Sequence, residues 1–458
     1  MTTSVPRRVS RDEHAILLGI DIGTSRLKIG SYDADLHLLN GNSADTGDLP
    51  GARKGQLDPA SLWQAVKDQV QRLLRSVDGS RVAAIGIAGM AESGCLIDAD
   101  GRPITPILLW HDRRGIRQAT ALRRKAGDEF ARLTGLKISS VRSIAKWMWL
   151  TDHDAPRHAR WCGAPEWIAL CLTGKWCTDA TLAVRTGAFD VLKGAYSFRL
   201  LGRAGAPAGL FPPVHATPAP AGTVLAAVGR DLGLPKRARV VIAGHDDIVA
   251  AYGVGGRPGD LIDSAGTAEG LIRIVGVPPQ PVETARAHMA MARFQEPGTW
   301  ALIAGAGSTG ALMQLAADAL GRGLQELDEI ASAPGQYPPG VISVRLTKNA
   351  LPTIQIREGA PAGEVWSAVL DLVCDRVQGA ADRLESLAGG ASRLVVMGGA
   401  ARSRELMWRK SERLGLPTVA ITEMDATTRG AAALASLASA GRVEIGFQGG
   451  MGVPSPDA

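Results

Sequence analysis

Ile16-Leu17-Leu18-Gly19-Ile20-Asp21-Ile22-Gly23-Thr24-Ser25-Arg26-Leu27-Lys28-Ile29-Gly30 is the stretch on which the reading of this chain turns. An apolar run, a polar turn and a second apolar run predict a buried strand over 16–20, a sharp turn, and a departing strand that reaches about Tyr32. Gly23 carries nothing on its Cα to block the turn or an incoming phosphate. Thr24 and Ser25 offer backbone N–H groups and hydroxyls on that turn. Asp21 supplies a carboxylate suited to a hard divalent cation that keeps its waters. Lys28 adds positive charge on the outgoing strand. Such a hairpin can hold a magnesium-bound phosphate tail. Taken alone it is also an ordinary β-hairpin with a glycine turn, and the rest of the chain must decide.

The pattern recurs. Leu261-Ile262-Asp263-Ser264-Ala265-Gly266-Thr267-Ala268-Glu269-Gly270 again reads as strand, Asp, Gly-Thr turn and strand, with one residue more. This points to internal duplication, each half supplying one phosphate loop. Between the copies lie Gly253, Gly255, Gly256 and Gly259, a weak glycine-rich match that follows a helix and reads as a hinge. A chain of 458 residues is too long for one core. The expected organisation is a disordered tail over 1–14, halves over 15–255 and 256–442, and a loose tail over 443–458.

Several predicted strands stop on polar clusters. Val82 to Ala88 is a run of small and branched residues that leads to Glu92. Pro106 to Trp110 leads to Asp112 and Arg114, where a Trp could wall a pocket and the charged pair could bond hydroxyls; a buried Trp beside a surface salt bridge is the alternative. Val240 to Gly244 runs into His245-Asp246-Asp247 and an Ala-rich helix. Polar groups at the C-terminal ends of strands are where α/β folds place chemistry, although an aspartate there can simply cap the helix. Leu394 to Met397 is followed by Gly398-Gly399 and then Ser403 at the start of a helix, which suits a nucleotide or a tight strand-to-helix turn. Helices are expected from Pro59 after an Asp58 cap, over 143–150, from Pro165 to a Gly174 stop, and over 364–388. The Ala-, Pro- and Gly-rich stretch 203–223 reads as surface loop.

Composition narrows the classes. Apolar residues make up 45% and charged residues 21%, as in ordinary globular proteins. Net charge is +6 with a pI near 9.2, spread over many arginines, which suits phosphate ligands. A basic face interleaved with aromatics is missing, so no nucleic-acid partner is expected. The five cysteines form no CxxC pair, which argues against a disulfide framework or a zinc site. No apolar run reaches membrane-spanning length and the first 14 residues lack the core of a signal peptide, so a cytoplasmic protein without a membrane partner is expected.

In order and spacing these pieces resemble the FGGY family of carbohydrate kinases, within the actin/Hsp70/hexokinase-like ATPases, from about residue 15 to 440. Asp21 to Lys28 is similar to the family's first phosphate motif, 143–153 to its first signature, Glu166 to Asp190 to its long helix-to-hairpin segment, Glu364 to Asp371 to the tail of its second signature, and Leu394 to Ser403 to its adenosine motif. The resemblance implies an α/β fold of two actin-like (ribonuclease H-like) ATPase domains with a cleft between them. It implies ATP and Mg2+ as cofactors, a small sugar as partner, and leaves a homodimer open. By position, Asp21 becomes the metal-associated acid and Asp246 the catalytic base. Gly23, Thr24, Ser25 and Lys28 become the first phosphate site, and Gly266 and Thr267 the second. Gly398, Gly399 and Ser403 become adenosine contacts, and Glu92, Trp110, Asp112, Arg114 and Asp247 line the sugar pocket. Val141 departs from the first signature, where glycerol kinases have a tyrosine, and the glycine-led start of the second signature is missing before Glu364. The activity so implied is phosphorylation of a hydroxyl of a small sugar, such as a ketopentose, or of a related polyol. A partner-binding actin- or Hsp70-like ATPase and a regulatory pseudokinase are the alternatives; the former has no need of Trp110, Asp112 and Arg114, and the latter no need of Asp21 and Asp246.

Overall fold

The computed structural model describes residues 15–440, except 54, 216–217, 297, 347–351 and 423–424, together with 451–452. The predicted tail at 1–14 lies outside the described residues. Of the tail at 443–458 only Met451–Gly452 is described, as a short strand paired with the second sheet.

Each of the two hairpins predicted to carry a phosphate loop founds a sheet. β1 (Ile16–Ile22) and β2 (Arg26–Tyr32) pair antiparallel, with Asp21 opposite Lys28. β3 (Leu38–Asp45) adds antiparallel to β2, while β4 (Val82–Gly89) and β5 (Arg239–His245) follow in parallel on the other side of β1. The second sheet repeats this order. β6 (Asp260–Ala265), β7 (Glu269–Val275) and β8 (Trp300–Gly307) are antiparallel neighbours, and β9 (Arg393–Met397) and β10 (Thr418–Ile421) follow β6 in parallel. The duplication hinted at in the sequence is therefore a duplication of topology.

The extra residue in the second copy matters. Counting back from the Gly-Thr pair, Ser264 stands where Asp21 stands, and Asp263 is turned to the opposite face because side chains alternate along a strand. Asp263 is fully buried and bonded to the Lys410 ammonium at 2.5 Å. The apparent match of Asp263 to Asp21 is one of sequence only.

The expected helices form: α1 (Pro59–Leu73), capped by Asp58, which accepts the Ser61 N–H at 2.8 Å; α2 (Ser143–Thr151); α3 (Ala164–Thr173), ended by left-handed Gly174; α4 (Asp246–Gly253); and α5 (Ala362–Ala388). α6 (Arg404–Leu414) follows the Gly398-Gly399 turn. The stretch 203–223 is mainly irregular, as expected, with short pairings at Val214–His215 and Gly222–Thr223. α7 (Ala426–Ala440) is unlike the rest in its placement: the last helix of the second half lies across β1, β4 and β5 of the first sheet and against α4. Glycines make this approach possible. A Cβ on Gly19 would stand 1.8 Å from the Thr428 carbonyl oxygen, and one on Gly430 would stand 2.0 Å from that of Val249. Tyr32 and Thr428 share a hydroxyl–hydroxyl bond of 2.7 Å, and the buried Arg429 guanidinium donates to the Gly253 carbonyl.

Candidate active site

β1, β4 and β5 run parallel and end together, so the residues just past them share one edge. At the end of β1, Asp21 is 5% exposed, and its Oδ1 is buried with no hydrogen-bond partner. Burial pushes its carboxyl well above the usual range, and nearby Asp425 adds to this while Lys28 opposes it. The turn closes through the Gly23 N–H to the Arg26 carbonyl at 3.0 Å, and a side chain on Gly23 would strike that same carbonyl. Thr24 is half-buried and Ser25 exposed; their carbonyls accept from the Thr46 hydroxyl and N–H. Lys28 reaches Asp425 at 2.7 Å and Asp21 at 3.8 Å.

β5 delivers His245 and then Asp246 and Asp247, the first two residues of α4. Their ligating atoms lie within 4.8 Å of one another, the one such group of three among the described residues. Asp246 Oδ1 accepts the Asp247 N–H at 3.0 Å and lies 3.3 Å from His245 Nε2. Burial raises the Asp246 carboxyl to about 6, and the Glu92 carboxylate adds to the rise. Asp247 takes a hydrogen bond from Ser264, the second-copy counterpart of Asp21. α4 thus starts between the two hairpins.

The predicted sugar-pocket residues divide into two groups. Trp110 donates its indole N–H to the Thr24 hydroxyl at 2.7 Å, which ties the predicted pocket wall to the first phosphate loop. Glu92 holds a left-handed φ of 59°, a strained conformation of the kind found at functional sites. The buried Lys146 ammonium fixes its carbonyl at 2.8 Å and that of Leu109 at 2.7 Å. One Glu92 carboxylate oxygen takes both Arg142 and Arg185, the latter at 2.9 Å. Burial would raise this carboxyl, but the Arg185 and Arg142 guanidiniums hold it below the usual range. Asp112 is held by Arg114: one oxygen accepts the Arg114 backbone N–H at 2.9 Å and the other its Nε at 2.8 Å. Arg114 in turn reaches Gln56 at 3.1 Å and lies over the Trp149 ring. Asp112 and Arg114 form a clasp.

At the second loop, Thr267 is exposed and its carbonyl accepts the Ala311 N–H at 3.1 Å, which sets the start of the helix Thr309–Leu320 against the turn. Gly398, at φ 97°, abuts the same loop: a Cβ there would come 2.6 Å from the Ala265 carbonyl oxygen. Gly398 and Gly399 are exposed. Ser403 is buried and caps α6, accepting the Leu406 N–H at 3.1 Å while it bonds Asp328. The structure therefore gives Ser403 a helix-capping job.

Arg142, Arg185, Ser264 and Asp425 join the site without having been singled out in the sequence. The nearest signals were the departure at Val141, one residue before Arg142, and the Asp-Ala-Thr-Thr cap pattern at 425–428.

Residues 16–253, more than half of the chain, match the FGGY family of carbohydrate kinases, N-terminal domain. The chain is 26% identical to the xylulose kinase of Streptomyces coelicolor over 417 residues, covering 88% of this chain and 84% of that one. It is 28% identical to the glycerol kinase of Alkalilimnicola ehrlichii over 455 residues, covering 92% and 90%. Among solved structures, the xylulose kinase from Rhodospirillum rubrum aligns with a TM-score of 0.79 at 23% identity, covering 96% of this chain and 95% of that one. The fold is that of the two-domain actin-like ATPases, and the chain belongs to the FGGY family of carbohydrate kinases.

Proposed function

We propose that this carbohydrate kinase transfers the γ-phosphoryl group of ATP to a hydroxyl of a small sugar, a ketopentose such as xylulose or a related sugar or polyol, with Asp246 as general base. The observation that carries the proposal is the placement of Asp246: first residue of α4, at the shared edge of the parallel strands, its carboxyl raised by burial to about 6. A base with that affinity accepts a proton near neutral pH better than an exposed aspartate does.

A sugar hydroxyl is a poor nucleophile until its proton has somewhere to go. Asp246 takes the proton as the bond to phosphorus forms, and the rest of the rate comes from alignment and charge. Gly23, Thr24 and Ser25 with Lys28 hold the phosphates from one side, Gly266 and Thr267 from the other, and Gly398 and Gly399 approach the adenosine. Glu92, steadied by two guanidiniums, and Trp110 position the sugar, with Asp247 beside the base. The donor set fits a divalent cation: Asp21 has a buried oxygen without a partner, and His245, Asp246 and Asp247 gather close by. Asp21 would hold Mg2+, which when bound neutralises charge on the phosphate oxygens. The division into halves at 15–255 and 256–442 belongs to the same proposal, with α7 packed back across it.

The test is a phosphorylation screen over ketoses, aldonates and polyols, repeated with Asp246→Asn and Asp247→Asn. One or a few sugars are expected to stimulate ATP turnover. Asp246→Asn is expected to lower kcat by about 10²–10⁴ with ATP affinity nearly unchanged, and Asp247→Asn to act mainly on the sugar KM. ATP turnover indifferent to every sugar would overturn the proposal.

A further inference from the structure

Asp246 leaves β5 through an irregular piece of backbone. The pairing of β5 with β4 shifts register between Ile242 and Gly244, and Gly244 holds φ at 125°. The next amide, the N–H of His245, donates to the Thr181 hydroxyl oxygen at 2.8 Å. That hydroxyl has a single proton and gives it to the Asp179 carboxylate, so its lone pairs are left to face His245. The same Asp179 oxygen accepts the Thr181 N–H at 2.6 Å, which fixes the acceptor in turn. Asp179 and Thr181 are each 2% exposed. A Cβ on Gly244 would stand 2.4 Å from the Thr181 hydroxyl and 2.8 Å from the Asp179 carboxylate, so glycine is required for the hydroxyl to reach this backbone at all.

An aspartate that merely capped the short helix Ala180–Ala183 would account for the bond to the Thr181 N–H. It would not account for a buried hydroxyl that reaches a strand 64 residues away in sequence, one residue before the base. We propose that Thr181 is a positioning residue for catalysis: anchored on Asp179, it pins the backbone from which Asp246 is presented to the sugar hydroxyl. The inference rests on Asp246 being the base. Its force comes from geometry, since a general base works only within hydrogen-bond reach of the proton it takes, and misplacement by about 1 Å can cost about 100-fold.

Valine has the shape of threonine without the hydroxyl, and serine keeps the hydroxyl without the methyl. Using the best sugar found in the screen, Thr181→Val is expected to lower kcat by about 10–100-fold with KM for ATP unchanged, and Thr181→Ser to recover most of the loss. Should Thr181→Val give no folded protein, Thr181→Ala is read against Thr181→Ser in the same way. A wild-type kcat in the variant, in a background where Asp246→Asn is inactive, would overturn the inference; so would a loss that Thr181→Ser fails to recover. If Asp246→Asn itself keeps full kcat, it is the assignment of the base that has failed.

Discussion

Glu92 shows what single positions reveal and conceal in this protein. Its place at a strand end was legible, as were those of Asp21, Asp246 and Trp110, because runs of apolar residues that stop on polar ones mark such edges. Its partners were not legible: Arg142 lies 50 residues further on, and Lys28 meets Asp425 across 397. Pairs of that kind are made by the fold, and no local pattern announces them. Glu92→Gln removes the charge that compensates two guanidiniums in the pocket wall, so a rise in the sugar KM larger than any rise in the ATP KM is expected, as measured by varying each substrate in turn. The Asp246 carboxyl gives a pH prediction. Raised by burial to about 6, it is ionised above that pH and protonated below it. As the proposed base it must be ionised to accept a proton, so kcat/KM for the sugar should fall as the pH drops through about 6, and a limb near the ordinary aspartate value would show that the base is another group.

At the scale of elements, both hairpins and the helices from Pro59, over 143–150, from Pro165 and over 364–388 were legible from period and caps, whereas the long helices Ile116–Thr134 and Thr309–Leu320, and the face that each residue presents, were not. One inserted residue turned Asp263 to the face opposite the one that Asp21 takes in the first copy, and into a buried triad with Lys410 and Glu269. The lysine reaches across from α6, the helix behind the Gly398-Gly399 turn, to the strands on either side of the second loop. Lys410→Met leaves two carboxylates buried and uncompensated, with the Asp263 carboxyl already pushed upward by burial and by Glu269. A loss of about 3–5 kcal/mol is expected from urea unfolding. If stability were unchanged, the triad would be contributing nothing to the fold.

Across the whole molecule, the two-sheet plan could be inferred from the repeated motif, but the return of α7 to the first sheet could not. Its seat is made of glycines on three elements, and a glycine in a sequence does not say what comes close to it. A Cβ on Gly430 would meet the Val249 carbonyl at 2.0 Å and the Gly253 N at 3.0 Å, backbone atoms that cannot rotate aside. Gly430→Ala should therefore push α7 off α4, with a loss of about 1–3 kcal/mol by thermal or urea unfolding and a lower kcat, because α4 starts with Asp246 and α7 is entered through Asp425. The Lys28–Asp425 contact has a further consequence for how the protein is made. The hairpin that carries Lys28 leaves the ribosome well before the aspartate it meets, which lies 397 residues further on. A ribosome that stops short of residue 425 releases a chain whose first sheet still shows a bare floor at Gly19 and Gly86, open to whatever hydrophobic segment arrives first. A chain cut before residue 425 lacks both α7 and the carboxylate that meets Lys28, so loss of turnover and a tendency to aggregate are its expected outcome, checked by expressing such a chain.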